Sequence, residues 1–271
     1  AAINALARGA GARVTVVDIG VDADLDGPDE AATPPGRPVF LARKVGRGTA
    51  NAMRGAAMDR AAATRAIEVG IAVAAGEVAR GLDLLGIGEM GIGNTTAASA
   101  IAAALTGEPP AIVTGRGTGV DGLALRRKVG VVRQMLAVNR PDPADPLDVL
   151  AKVGGFEIAG LVGLILGAAA ARVPVVLDGF ITGAAALVAV GLCPAAHPYL
   201  IASHRSTEPG HAVILERLAL DPLFDFNLRL GEGSGAALAF GLIDGAARHL
   251  AEMATFGEAG VAGAEGARGG Q

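Results

Sequence analysis

The stretch IAGLVGLILGAAAARVPVVLD, residues 158–178, decides the class of fold. Its first 14 residues are apolar and stop before Arg172, whereas a helix that crosses a bilayer needs about 20 apolar residues. The next six residues, 173–178, are mostly apolar and end in Asp178, as a parallel strand buried on both faces does. The stretch therefore predicts a buried helix followed by a buried strand, and no membrane span.

The same alternation continues on both sides of this stretch. Further strands are predicted at residues 14–19, 82–87 and 199–202, and further helices at 51–80, 95–105, 121–139, 182–191 and 234–254. Such alternation is typical of an α/β fold with a doubly wound, mostly parallel sheet. We predict this Rossmann-like fold, with a small helical annex, as a single domain over residues 1–258, followed by a flexible Gly/Ala tail over 259–271.

Composition argues against a nucleic-acid partner and indicates a reducing compartment. A net charge of −4 leaves no basic face for a nucleic-acid backbone, and seven Phe, one Tyr and no Trp offer few surfaces for base stacking. The single cysteine, Cys193, excludes an internal disulfide and fits a reducing compartment. Because the chain opens without Met and without a charged leader before an apolar core, we expect a cytoplasmic protein whose sequence begins partway into a longer chain.

Two glycine-rich segments between a strand and a helix are candidates for binding an anion. In GIGEMGIGNTT, residues 86–96, the glycines allow backbone N–H groups to approach an anion at the start of a helix. The segment lacks the lysine of a P-loop and the spacing of a dinucleotide-binding motif. In TGRGTG, residues 114–119, the glycines precede a helix that carries Lys128, whose ammonium suits a phosphate monoester. The alternatives are that the glycines of residues 86–96 only allow tight packing and turns, and that Lys128 is a solvated surface residue.

A third segment, RLGEGSG at residues 229–235, places a carboxylate between glycines. Glu232 lies beside Leu230, and apolar neighbours raise the proton affinity of a carboxylate towards that of a general base. The alternative is that Glu232 or Ser234 caps the following helix.

The segment SHRSTEPGH, residues 203–211, contains histidines that could bind a metal ion and serines that could act as nucleophiles. His204 and His211 are close in sequence, but Pro209 and Gly210 interrupt any helix that would align them, and no HExxH motif or cysteine partner is present. We therefore predict no metal site. Ser203 and Ser206 are candidate phosphate or ribose contacts, and no Gly-x-Ser-x-Gly turn surrounds either one.

Together these segments resemble the nicotinate-nucleotide:dimethylbenzimidazole phosphoribosyltransferase family, which makes the lower-ligand nucleotide of cobamides. Five blocks recur in the family's order and span about residues 1–261: GEMGIGNTTAASA (88–100), TGRGTG (114–119), VPVVLDGFITGAAAL (173–187), SHRSTEPGH (203–211) and LRLGEGSGAAL (228–238). Any one block is a weak signal, but the five together are highly specific.

The resemblance implies an activity and a set of site residues. The activity is transfer of a phosphoribosyl group from nicotinate mononucleotide to 5,6-dimethylbenzimidazole or a related base, with no metal or redox cofactor, by a homodimer. The family's catalytic glutamate corresponds to Glu232 and a second important glutamate to Glu89. The implied substrate contacts are Gly91, Gly117, Lys128 and Ser206 for the phosphate, and Met90 and Leu230 for the acceptor base. Family members also carry an additional N-terminal segment of helices.

Two other functions remain open from the residues alone. The chain could be a nucleotide-binding module without catalysis, in which Lys128 and the glycine loops hold a phosphate and Glu232 is structural. The apolar run at 158–171 also permits a membrane-associated transport component.

Overall fold

The computed structural model describes residues 1–25, 27, 37–91, 93–117 and 121–260. Helices predominate, and every strand is short. In chain order the elements are α1 (Ala2–Gly9), β1 (Thr15–Asp18), β2 (Val39–Ala42), α2 (Arg60–Ala79), β3 (Leu85–Ile87), α3 (Thr95–Thr106), α4 (Pro110–Val113), α5 (Gly122–Asn139), α6 (Pro146–Val153), α7 (Phe156–Ala170), β4 (Val175–Leu177), α8 (Phe180–Leu192), a 3₁₀ helix (Pro194–Tyr199), β5 (Leu200–Ala202), α9 (Pro209–Arg217) and α10 (Ser234–Glu252).

The strands form two parallel sheets within the described part of the chain. β1 pairs with β2, and a second sheet has the order β3-β4-β5, with β4 at its centre. Val175 lies opposite Leu85 on one side and Leu200 on the other. The prediction of an α/β fold with parallel strands is confirmed, and the strands divide between two sheets.

Helices cover both faces of the three-stranded sheet. Val175 and Leu177 point into the main hydrophobic core, which contains α7 and α8. Val176, which alternates with them along β4, packs against Ala236 and Ala239 of α10. Because side chains alternate along a strand, one three-residue strand contributes to two separate apolar layers, as a doubly wound sheet requires.

The closest helix contact joins α2 to α7. A Cβ added to Gly163 would lie 1.9 Å from the carbonyl oxygen of Ile67, and one added to Gly70 would lie 2.0 Å from the carbonyl oxygen of Gly160. The backbones of the two helices therefore touch directly. α7 lies in the core as predicted, and no helix in the described part of the chain is long and apolar enough to cross a membrane.

Several boundaries and short elements differ from the predictions. The helix predicted at 51–80 begins only at Arg60, because the Asp59 side chain accepts from the Ala62 amide and caps the helix there. Pro209 begins α9, where its missing N–H costs nothing, so His211 lies on this helix and His204 before it. The elements α1, β2, α4 and α9 and the 3₁₀ helix were not predicted. Most of the predicted tail, residues 261–271, lies outside the described residues.

Candidate active site

Four loops meet at the carboxyl ends of β3, β4 and β5. The loop after β3 contacts the segment before α10, since a Cβ on Gly88 would lie 2.1 Å from the Gly233 nitrogen and the Glu232 amide donates to the Glu89 carbonyl at 3.2 Å. After β4, the Asp178 carboxylate accepts from the same segment. The segment after β5 carries His204, and both the His204 ring and the Asp178 carboxylate lie against Gly235. This edge is where a parallel sheet presents its ligand-binding loops.

Glu232 stands in a strained turn at this edge. Its φ is +64°, between Gly231 at +77° and Gly233 at +85°, and the left-handed region is costly for a residue that carries a Cβ. The Glu232 carboxylate accepts from the amide of Ile3, in the first turn of α1, at 3.3 Å. The N-cap of α10 is Gly233, with no side-chain cap, so Glu232 does not cap the helix that follows it.

Glu89 is held by its own loop. Its carboxylate accepts from the Gly91 amide at 2.9 Å and from the Asn94 side-chain nitrogen at 2.7 Å. Burial raises the pKa of Glu89, the two hydrogen bonds oppose this, and the nearby charge of Glu157 adds to it. Burial also raises the pKa of Glu157, at the start of α7. Glu157 carries no motif that would have indicated it from sequence.

Met90 and Leu230 present apolar surface on the two loops joined at Glu89 and Glu232. Met90 is 71% exposed and Leu230 57% exposed. Each is the neighbour, one or two positions along the chain, of one of the two glutamates. Each loop therefore exposes an apolar side chain close in sequence to its glutamate.

Lys128, Gly117 and Thr95 form a second part of the site. The Lys128 ammonium donates to the Thr95 hydroxyl at 2.7 Å and to the Gly115 carbonyl at 3.1 Å. A Cβ on Gly117 would lie 3.3 Å from the Lys128 nitrogen. Burial lowers the pKa of Lys128, and the charge of Glu208 opposes this. Lys128 is thus half-buried among polar groups and is not a solvated surface lysine. Thr95 opens α3, directly after the loop that holds Glu89, and so connects the two parts.

Glu208 is a site residue that sequence reasoning missed. Its Oε1 accepts from the Gly117 amide at 2.8 Å. Its Oε2 is buried and has no hydrogen-bond partner among the described residues. The nearby Ser206 hydroxyl accepts from the Glu208 amide at 3.3 Å. Ser206 also lies near Gly179, at the end of β4. Residues 118–120 of the predicted glycine segment lie outside the described residues.

His204 and His211 lie side by side in the structure. Their ring centroids are 6.3 Å apart, and within the described ranges no group of three or more His, Cys, Asp or Glu residues could hold a metal ion. His211 Nδ1 accepts from the Ser206 amide at 2.9 Å, and burial lowers the pKa of His211 to about 3. The Ser203 hydroxyl is fully buried and donates to the Asp178 carbonyl, so it cannot meet a substrate.

The arrangement suits an anionic substrate that reacts next to a carboxylate. A half-buried ammonium lies beside Thr95 and the Gly117 loop. Thr95 follows the loop that holds Glu89, and that loop is hydrogen-bonded to the loop that carries Glu232.

The known proteins that are similar to this chain all point to one family. A family model described as "Phosphoribosyltransferase" matches residues 1–261. The nicotinate-nucleotide–dimethylbenzimidazole phosphoribosyltransferase of Roseiflexus sp. (strain RS-1) is 59% identical over 97% of this chain and 72% of its own length. The protein of that name from Desulforudis audaxviator (strain MP104C) is 55% identical over 96% of this chain and 71% of its own length. The crystal structure of CobT from Thermus thermophilus superposes with a TM-score of 0.89 and 49% identity, covering 97% of this chain and 75% of that one.

Proposed function

Because this chain belongs to the nicotinate-nucleotide–dimethylbenzimidazole phosphoribosyltransferase family, we propose that it transfers the phosphoribosyl group of nicotinate mononucleotide to 5,6-dimethylbenzimidazole or a related base. The products are the α-ribotide phosphate and nicotinate, used in assembly of the cobalamin nucleotide loop. One geometric observation supports this function most directly. Glu232 is hydrogen-bonded to the Glu89 loop, and the half-buried Lys128 donates to Thr95 at the end of the same loop.

We propose that the donor phosphate binds Lys128, the amides of Gly91 and Gly117, and Ser206. Lys128 supplies the full positive charge. Each glycine amide has a single N–H and donates it to a carboxylate, Gly91 to Glu89 and Gly117 to Glu208. The phosphate would replace the carboxylate as acceptor at each amide, and both amides are placed to donate to an anionic oxygen, which supports the assignment.

The acceptor base is proposed to lie against Met90 and Leu230. Both side chains are exposed and apolar, and they sit one and two residues from the glutamates. A flat aromatic base that covers them is brought within reach of Glu232, so that apolar contact and orientation come from the same surface.

The reaction needs orientation and one proton acceptor. One ring nitrogen of the base attacks ribose C1′ opposite the nicotinate, and the bond from C1′ to the nicotinate nitrogen breaks. Its electron pair stays on that nitrogen and neutralises the pyridinium charge. The proton on the other nitrogen of the base passes to the Glu232 carboxylate. Attack from the opposite side converts a β-linked donor into an α-linked product. Glu89 orders the ribose hydroxyls or shares the task of Glu232.

We further propose a single domain over residues 1–258, a homodimer and a cytoplasmic location. One continuous core contains residues from Ile19 to Leu218, which supports the single domain. The outer side of α10 exposes Leu238 and Leu242, which supports association with a second copy. A single cysteine and small-molecule substrates fit the cytoplasm.

The activity is tested by incubating the protein with nicotinate mononucleotide and 5,6-dimethylbenzimidazole and measuring released nicotinate and α-ribotide. We expect Glu232→Gln to reduce kcat by at least about 100-fold while mononucleotide affinity is retained, because only the proton acceptor is lost. Lys128→Ala should instead raise KM for the mononucleotide by about 10-fold or more, because a charged phosphate contact is lost. Lys152→Ala, at a surface ion pair with Asp148, is the control for loss of a lysine.

Three outcomes would contradict parts of this proposal. Mononucleotide binding without nicotinate release by the wild type would favour a non-catalytic binding module. Full turnover by Glu232→Gln would remove Glu232 as the base. A Lys128→Ala protein with unchanged KM would remove Lys128 from the phosphate site.

A further inference from the structure

Asp178 is a buried carboxylate directly beneath the loop that carries Glu232. It follows β4 and is 3% exposed. Its Oδ2 accepts from the Gly233 amide at 3.0 Å, and its Oδ1 accepts from the Gly235 amide at 2.7 Å. Both carboxylate oxygens of Asp178 therefore accept hydrogen bonds from backbone amides just after Glu232, those of residues 233 and 235.

The Glu232 loop requires such an anchor. Three consecutive residues, 231–233, have positive φ, and the middle one carries a side chain that disfavours this conformation. A turn of this kind persists only where surrounding contacts fix it. The Glu232 amide donates to the Glu89 carbonyl, and the Ser234 amide and hydroxyl donate to the Gly231 carbonyl. Asp178 adds the two contacts that hold the Gly233 and Gly235 amides.

The surroundings of Asp178 lock it in place and keep it away from solvent. The Ser203 hydroxyl donates to the Asp178 carbonyl at 2.9 Å and lies 3.0 Å from His204 Nδ1. A Cβ on Gly235 would lie 2.1 Å from that His204 nitrogen and 2.8 Å from Asp178 Oδ1. The ends of β4 and β5 and the start of α10 are therefore packed into one unit, with Asp178 at the point where they meet.

We propose that Asp178 is a positioning residue for the reaction: it holds the backbone at 233 and 235 so that Glu232 keeps its left-handed turn and its carboxylate stays at the acceptor base. Asp178 itself is buried and does not touch substrate. The inference rests on the proposed role of Glu232 as the proton acceptor.

Asp178→Asn is the sharpest change, because it keeps the shape of the side chain. An amide has one acceptor oxygen, so its NH₂ group would face one of the two backbone N–H donors. We expect kcat to fall by about 10–100-fold, the scale of a small misplacement of a reacting group, with KM for nicotinate mononucleotide within about threefold of wild type. Asp244→Asn, at an exposed ion pair on α10, is the matched control and should keep full activity.

A double-mutant cycle separates positioning from general damage. If Asp178 acts through Glu232, Asp178→Asn should lower kcat little further in a Glu232→Gln protein, because the group being positioned is already lost. An equal loss of kcat in both backgrounds, or full kcat in the single Asp178→Asn variant, would overturn the inference. Full kcat in Glu232→Gln alone would instead overturn the proposed base, so the two failures are distinct.

A measurement on the wild type serves if Asp178→Asn does not fold. Amide hydrogen exchange resolved by NMR should find the Gly233 and Gly235 amides strongly protected, since both donate to a buried carboxylate. Exchange of these two amides at the rate of an open loop would show that Asp178 does not hold the turn.

Discussion

Glu208 places a negative charge beside the ammonium that we propose binds the donor phosphate. Its Oε1 accepts from Gly117, and its buried Oε2 lacks a partner among the described residues. The charge of Glu208 raises the pKa of Lys128 and so opposes the larger effect of burial, which lowers it. Glu208 therefore favours the protonated form of Lys128 and also accepts a hydrogen bond from the Gly117 amide.

We expect Glu208→Gln to move the alkaline limit of mononucleotide binding to lower pH. Without the carboxylate, only burial acts on Lys128, so its pKa falls further. Binding that needs the ammonium is complete below the Lys128 pKa and is lost as pH rises through it. Calorimetric titration of nicotinate mononucleotide between about pH 7 and 10 measures this limit.

Glu216→Gln makes the same change of charge on the exposed side of α9 and should leave the limit where it is. A limit in Glu208→Gln that stays unchanged or moves to higher pH would mean that Glu208 does not act on Lys128.

For individual residues, the sequence predicted the glycine loops, but it did not predict the carboxylates that accept hydrogen bonds from the loop amides. Glycine spacing and position after strands indicated the loops of Glu89 and Glu232, which the structure brings together. The carboxylates that anchor loops are far away along the chain: Glu208 is 91 residues from Gly117, and Asp178 is 55 residues from Gly233. Their hydrogen bonds form only through the tertiary fold, and no local pattern marks an aspartate that accepts from distant amides.

At the scale of elements, the direct backbone contact between α2 and α7 is the least adaptable part of the core. Gly163 lies against the Ile67 carbonyl, and Gly70 against the Gly160 carbonyl. A clash with backbone cannot be relieved by turning a side chain, so any added methyl group must push two long helices apart.

We expect Gly163→Ala to lower the free energy of unfolding by about 1–3 kcal/mol, the usual cost of overpacking a core. The control is Gly76→Ala on the same α2, where an added Cβ meets nothing within 4 Å. That change should raise the free energy of unfolding by about 0.5–1 kcal/mol, because alanine favours a helix over glycine. Denaturant unfolding followed by circular dichroism measures both. Equal stability of the two variants would contradict the close contact.

The long, strongly apolar elements were predicted, whereas the short elements α4 and β2 were not. α7 and β4 follow from a single apolar stretch, and their ends shifted by only a few residues. By contrast, α4 has four residues and β2 exists through pairing with β1. Such segments are stabilised by what they contact and carry too few turns or alternations for a pattern.

At the scale of the whole molecule, the outer side of α10 remains apolar. Leu242 is 54% exposed, and Leu238, one turn earlier on the helix, is also exposed. A spacing of four residues places these two side chains on one side of the helix. The inner side of α10 packs on the sheet through Ala236 and Ala239, so this outer stripe is available for the proposed second copy.

We expect Leu242→Glu to weaken dimerisation by about 100-fold or more, because a two-fold interface receives the buried charge twice. Light scattering coupled to size-exclusion chromatography over a range of concentrations measures the molecular mass. Val138→Glu on α5, at a similarly exposed position, is the control and should leave the mass unchanged. An unchanged dimer in Leu242→Glu would place the interface elsewhere, and a monomeric wild type would end the proposal.

The exposure of Met90 and Leu230 has a consequence for how such a protein evolves. Their loops are fixed by backbone hydrogen bonds and by Asp178, so the two side chains contribute little to folding, and replacing an exposed side chain usually changes stability by less than about 0.5 kcal/mol. Mutations at these positions are therefore tolerable to the organism in a way that mutations beneath them are not. If Met90 and Leu230 hold the acceptor base as we propose, natural selection can change which aromatic ring is accepted by altering two surface residues, while the proposed contacts to the sugar phosphate stay intact.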